Sequence, residues 1–142
     1  MKKFMLFLAA LVIGLTGAVA QQKQQPTPEI NFEETKFKFG TVTQGEKVEH
    51  NFAFKNISEN PVIITNVRTT CGCTVPKWPR EPIASGEGSD INAVFNTRGK
   101  RGYQRKVITI SYTVKDPAGD QQKTTTVALE GNVKMPEPSE GN

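Results

Sequence analysis

Apolar and polar residues alternate along most of the chain with a period of two. Between Lys47 and Lys55, Val48, His50, Phe52 and Phe54 share one parity, the signature of a strand with one buried face. Ile30 and Phe32 repeat the pattern over a short stretch, as do Phe37 and Phe39, then Ile91, Ala93 and Phe95. Ile108, Ile110, Tyr112 and Val114 mark one face of a longer strand over Val107 to Val114. Val62, Ile63 and Ile64 open another that runs through Val67 to about Thr70, and Thr124 to Val133 closes the series with Val127, Leu129 and Val133 inward. Turn chemistry separates these runs at Gln44-Gly45, at Gly86 and Gly88, from Arg98 to Gly102, and from Asp116 to Asp120. Seven short strands with no helical period predict an all-β fold, a single Ig-like antiparallel β-sandwich.

The two ends break the pattern. Lys2 and Lys3 precede an uncharged, mostly apolar run from Phe4 to Leu15, and Ala18-Val19-Ala20 supplies small residues before Gln21. This is the layout of a cleaved secretory signal peptide over 1–20, and the run is too short for a membrane span. No cysteine follows the run, so a lipid anchor is not expected. Gln21 to Pro28 is a polar, Gln-rich spacer, and 135–142 is a tail of similar character. The sandwich is thereby expected over 29–134. The product is expected to be exported to the periplasm or the exterior, where thiols meet oxidants.

Charge then narrows the function. The chain of 142 residues carries a formal charge of +4. Loss of Lys2 and Lys3 leaves a small basic surplus, which is no footprint for nucleic acid. Arg98, Lys100, Arg101, Arg105 and Lys106 cluster about one turn. That cluster reads first as a solvated hairpin tip, and alternatively as a site for acidic glycans or anionic lipid headgroups. His50 is the single histidine. It shares the face of Val48, Phe52 and Phe54, which makes it a hydrogen-bonded residue at the edge of the core. No nucleophile and acid can be assembled around it by spacing, so neither catalytic residues nor a cofactor nor a metal site is assigned. Asn56-Ile57-Ser58 matches the glycosylation sequon, a weak three-residue pattern.

The segment from Thr70 to Gly86 is different. Pro76, Pro79 and Pro82 recur every three residues, which favours a rigid extended loop over a central strand. Ahead of them stands Cys71-Gly72-Cys73. Residues i and i+2 of a strand project to one face, with Cα atoms roughly 6.5 Å apart, at the long edge of disulfide geometry. Gly72 can bend the backbone and draw the sulfurs together. A staple closing so small a ring contributes only about 1.6 kcal/mol before strain. Four readings stay open: a disulfide without catalysis, a redox-exchange or sensing pair, a Cu(I) carrier, and two thiols buried as small hydrophobes. Trp78 is either a lid over the core or an exposed contact anchor. Thr74, Trp78, Pro79 and Pro82 form the candidate contact loop.

A resemblance joins these features. Phe37-Lys38-Phe39-Gly40-Thr41-Val42 with Gly45, His50-x-Phe52-x-Phe54-x-Asn56, Cys71-Gly72-Cys73-Thr74, Pro82-Ile83 and Gly86-Glu87 resemble a widespread bacterial secreted family of unknown function whose hallmark is Cys-Gly-Cys-Thr. That family is similar to Hydin-like immunoglobulin-fold domains, which mostly act as interaction modules. Ser85 stands where a proline would be usual, a change expected to loosen the turn. The resemblance supports the sandwich and implies no assigned activity. With the leader, the charge and the missing catalytic set, the expectation is an exported, non-enzymatic interaction module whose partner is another envelope protein, with neither nucleic-acid binding nor stable membrane insertion. The alternative is a thiol redox partner or Cu(I) carrier using Cys71 and Cys73.

Overall fold

A computed structural model describes residues 29–69 and 77–138. The signal-peptide and spacer readings over 1–28 lie outside them, as do residues 70–76 and 139–142. Seven strands follow in chain order: β1 (Ile30–Phe32), β2 (Lys36–Thr43), β3 (Lys47–Asn56), β4 (Val62–Thr69), β5 (Gly88–Asn96), β6 (Gly102–Val114) and β7 (Gln121–Lys134). They form a three-stranded sheet in the order β1-β3-β5 and a four-stranded sheet in the order β2-β7-β6-β4. The Ig-like sandwich expected from the alternation is the architecture observed.

The core is the inner face of both sheets. β3 contributes Val48, Phe52 and Phe54, and β5 contributes Ile91, Ala93 and Phe95. From the other layer come Val62, Ile64 and Val67 of β4, Ile108, Ile110, Tyr112 and Val114 of β6, and Val127, Leu129 and Val133 of β7. The change of parity between Ile64 and Val67 has a local cause. The β4–β6 register shifts between Ile64 and Asn66, and this β-bulge returns an apolar side chain to the core. β6 starts at Gly102, before its apolar run, because Gly102 to Lys106 pair with Val133 to Leu129. Ladder bonds there extend a strand whose side chains carry no apolar signal.

One pairing departs from the antiparallel pattern. β1 pairs antiparallel with β3, but the chain then leaves that sheet. Glu33 N donates to Ala53 O of β3, whereas Thr35 O accepts from Ala128 N of β7. β2 therefore joins the second sheet, where it runs parallel to β7. The register shifts between Lys38 and Gly40, and Gly40 sits at φ 71°, a left-handed conformation that suits glycine. Phe37 and Phe39 share the inward face by alternation, and the bulge returns Val42, opposite Val133, to the same face; all three pack against the core. Phe39 lies directly over Gly131. A Cβ at Gly131 would run into the Phe39 ring and stand 2.6 Å from Gly40 O.

A second tie crosses between layers at the start of β1. Glu29 accepts from Lys123 Nζ of β7 and, at 3.3 Å, from the Tyr112 hydroxyl of β6. Burial, reinforced by the Glu29 carboxylate, pushes the Tyr112 phenol from 10.0 to about 12.

Two outcomes follow from these contacts. Gly131→Ala is expected to lower stability by about 1–3 kcal/mol through overpacking against backbone and ring, read as a lower urea midpoint with an unchanged slope. The raised Tyr112 value means that the folded state holds this proton more tightly than the unfolded chain does. Its contribution is complete below about pH 10 and is lost as pH rises through about 12. The urea midpoint should thus fall more steeply between about pH 9 and about pH 11.5 in the native protein than in Tyr112→Phe; equal falls would contradict the assignment.

Candidate functional site

In the Ig plan, the sheet that holds β1, β3 and β5 carries a fourth strand beside β5. Here a strap of residues 77–87 takes that place. Lys77 N donates to Asn92 O at 2.7 Å, and Asn92 N donates back to Lys77 O at 2.8 Å. The antiparallel register places Pro79 opposite Asp90, where it has no N–H to donate, so the ladder is not continued there. The chain next crosses to the other layer. Val62 N donates to Ile83 O at 2.9 Å and Ile83 N to Val62 O at 2.8 Å, which seats Ile83 in the core against the edge of β4. Gly86 N and Asn56 O, then Asn56 N and Glu87 O, return it to the end of β3 at 2.8 and 2.9 Å. The strap thus laces the open edges of both sheets.

Asn56 anchors this lacing. Its parity on β3 continues that of Phe52 and Phe54, so its side chain enters the core, where it is fully buried. Nδ2 donates to Asn60 O and Ile83 O, both at 2.9 Å, while Oδ1 accepts from Ser58 N at 3.0 Å and from the Ser58 hydroxyl at 2.7 Å. Every hydrogen-bonding position of the amide is filled. The sequon reading of Asn56 is therefore corrected: a buried amide with both hydrogens engaged offers no attachment point in the folded protein. Ser85 also departs from expectation. Its hydroxyl donates to Ser58 O at 2.6 Å, so it ties the turn down, which a proline could not do.

The candidate contact residues fall in different places. Trp78 is half-buried and packs against the core, and the Arg80 guanidinium lies 3.9 Å from its ring centroid. The ring acts as the lid of the two sequence readings, with Arg80 as its outer cover. Pro79 is half-buried, whereas Arg80, Glu81 and Pro82 are exposed. Cys71, Cys73 and Thr74 lie outside the described residues. Their segment joins Thr69, at the end of β4, to Lys77, beside β5.

His50 is half-buried on the inner face of β3. Phe37 stacks on it, with centroids 3.8 Å apart and planes 5° from parallel, and Phe52 meets it edge-on at 4.8 Å. Nε2 lies 2.7 Å from Glu34 Oε1, an ion-pair distance that lacks the alignment of a hydrogen bond. The basic cluster divides. Arg105 and Lys106 are neighbours on β6, so they project to opposite faces. Arg105 Nε binds Glu130 at 2.9 Å, and Lys106 Nζ lies 5.2 Å from the Phe95 ring. Among the described residues no three His, Cys, Asp or Glu side chains are grouped to hold a metal ion, and no helix is long and apolar enough to cross a membrane.

Replacement of Asn56 by alanine leaves the Ile83 and Asn60 carbonyls and the Ser58 amide short of partners. A loss of about 2–4 kcal/mol is expected, as for several buried polar groups orphaned together. Ser58→Ala, which removes only the partly buried hydroxyl, should cost about 1 kcal/mol. Urea unfolding of the two variants checks both the size and the order.

The arrangement has structural kin. The chain is similar to the ASH/PapD-like domain of human CEP192 (PapD-like domain 7), with a TM-score of 0.64, 14% identity, and 81% of this chain and 94% of that one covered. It is also similar to a protein of unknown function from Porphyromonas gingivalis W83 (TM-score 0.58, 15% identity, coverage 72% and 46%). A third likeness is to the Vibrio cholerae VesB protease (TM-score 0.59, 12% identity, coverage 73% and 32%). At these identities the likeness is one of fold. No curated protein matches the sequence. Residues 30–135 match a family that spans the whole sandwich and its strap: the chain belongs to the DUF1573 proteins, a family of unknown function.

Proposed function

We propose that this chain is an exported, non-enzymatic interaction module that recognises another protein of the cell envelope through the segment Thr70 to Gly86. The observation that carries the reading is the strap itself. Its backbone is held at Lys77 and again at Ile83, while Arg80, Glu81 and Pro82 between them stay exposed. A contact loop fixed before binding avoids most of the ordering entropy that a free loop loses. Pro79 and Pro82 restrict it further. Support also comes from the kinship with PapD-like and Ig-like sandwiches, which present loops and edges on a rigid scaffold. The leader over 1–20 and the resemblance to Hydin-like modules support export and a binding role.

Deletion of Thr70 to Gly86 would remove Ile83 from the core and so cannot separate binding from folding. A photo-cross-linking residue at Glu81 leaves both anchors intact, and the same residue at Thr126, exposed on β7, probes a strand that does not pair with the strap. An adduct with an envelope protein formed from Glu81 and not from Thr126, and suppressed by excess untagged protein, is the expected outcome. Adducts from Thr126 alone, or from neither position in cells that produce the protein, would contradict the assignment of the strap.

A further inference from the structure

The outward face of the four-stranded sheet holds a second feature, remote in function from the strap. Lys38, Gly40, Thr41, Tyr103, Glu130, Gly131 and Asn132 line a shallow depression of about 380 Å³, near the lower end of the range for small-ligand sites. It borders the irregularity that shapes β2. The bulge between Lys38 and Gly40 breaks the even corrugation of the sheet beside it.

Pairing fixes what stands around it. Lys38, Glu130 and Arg105 occupy one row across β2, β7 and β6, and Thr41, Asn132 and Tyr103 occupy the next. Tyr103 is 61% exposed, one of the few large hydrophobic side chains left so open among the described residues. A flat ring in water beside a row of donors and acceptors suits a ligand with an apolar face and a polar rim. The charge in these rows is unbalanced. Glu130 is bound by Arg105 at 2.9 Å, and that bond, with Lys36 adding to it, holds the carboxyl below the usual carboxylate range. Arg105, Lys36 and the Tyr103 hydroxyl thus already engage this one carboxylate, so the Lys38 ammonium, which stands opposite Glu130 in the register at the rim, is placed for a further anion. Asn132 and Thr41 supply neutral donors and acceptors for hydroxyl groups.

We propose that this depression binds an acidic saccharide, a uronate pyranose whose C–H face stacks on Tyr103, whose hydroxyls meet Asn132 and Thr41, and whose carboxylate meets Lys38. The site is separate from the strap and makes the protein a module with two contact surfaces. Its ligand is identified by ring shape and charge together: the aromatic face selects the sugar, and the surplus cation selects the uronate over its neutral counterpart.

Titration of the protein with galacturonate, glucuronate and mannuronate oligosaccharides, against neutral oligosaccharides of the same length, tests this directly. At least one uronate series should bind, more tightly than its neutral counterpart, and less tightly as salt is raised. Tyr103→Ala should weaken binding about tenfold, while Tyr103→Phe, which keeps the ring, should retain it. Lys38→Gln should erase the preference for the acid and leave the neutral sugar unaffected. Both positions are exposed, so an unchanged thermal midpoint shows that the variants remain folded. Failure of all three uronate series to bind would overturn the proposal, as would binding indifferent to Tyr103→Ala or equal affinity for neutral sugars.

Discussion

The buried amide of Asn56 must find partners, and it finds one on the strap, beside the backbone pairs that hold the strap at Lys77 and Ile83. The inward row of β3 ends in a polar side chain, and burial of an amide without partners would be destabilising by a few kcal/mol. The fold meets this constraint by bringing Ile83 O to Nδ2, and the same residue then exchanges two backbone bonds with Val62 on the other sheet. One polar group in an apolar row thus adds a side-chain tie at Ile83 to the backbone pairs of the Pro-rich segment. The edge of β4 is covered at Val62, the edge of β5 at Asn92, and Trp78 is placed over the core between them.

The other open side of the sandwich is closed by different means. There β2 crosses from one sheet to the other and pairs parallel with β7, and its phenylalanines, not its backbone, seal the gap to β3. Phe37 stacks on His50 and Phe39 reaches Phe95, with centroids 6.0 Å apart. Gly131 makes the approach of Phe39 possible, and the bulge between Lys38 and Gly40 borders the depression on the outer face. Core closure on one face and the depression on the other thus meet at one stretch of β2. Both candidate contact surfaces therefore stand at places where regular pairing stops, the strap where a strand is missing and the depression where a strand is bulged.

Much of this was legible in the residues. Period-two alternation located six of the strands, because one buried face imposes that period whatever the neighbours are, and the apolar run Val62-Ile63-Ile64 marked β4, whose bulge breaks the period. The turn at Asp116 to Asp120 and the inward parity of β3 were equally local properties. Pairing partners were not legible, since β2 carries the same alternation whether it joins β3 or β7. The split of Arg105 from Lys106 was hidden for a related reason: only the start of β6 at Gly102 shows that they lie on a strand and not in a turn. Asn56 left a readable signal, a polar residue at an inward position after Phe52 and Phe54, but its partner lies 27 residues away. The row of Lys38, Glu130 and Arg105 comes from three strands whose register no periodicity reveals.

Recognition through the strap requires that it be part of the folded edge and not a loose connection. Amide hydrogen exchange at Ile83 and Lys77 tests that most directly. Ile83 N–H should exchange as slowly as Val62 N–H, its mutual partner, and Lys77 N–H should be protected together with Asn92 N–H. Exchange of Ile83 and Lys77 at the rate of an unstructured chain, while the amides inside β3 and β6 remain protected, would show that the strap is detached and that its exposed residues are not held in place for a partner.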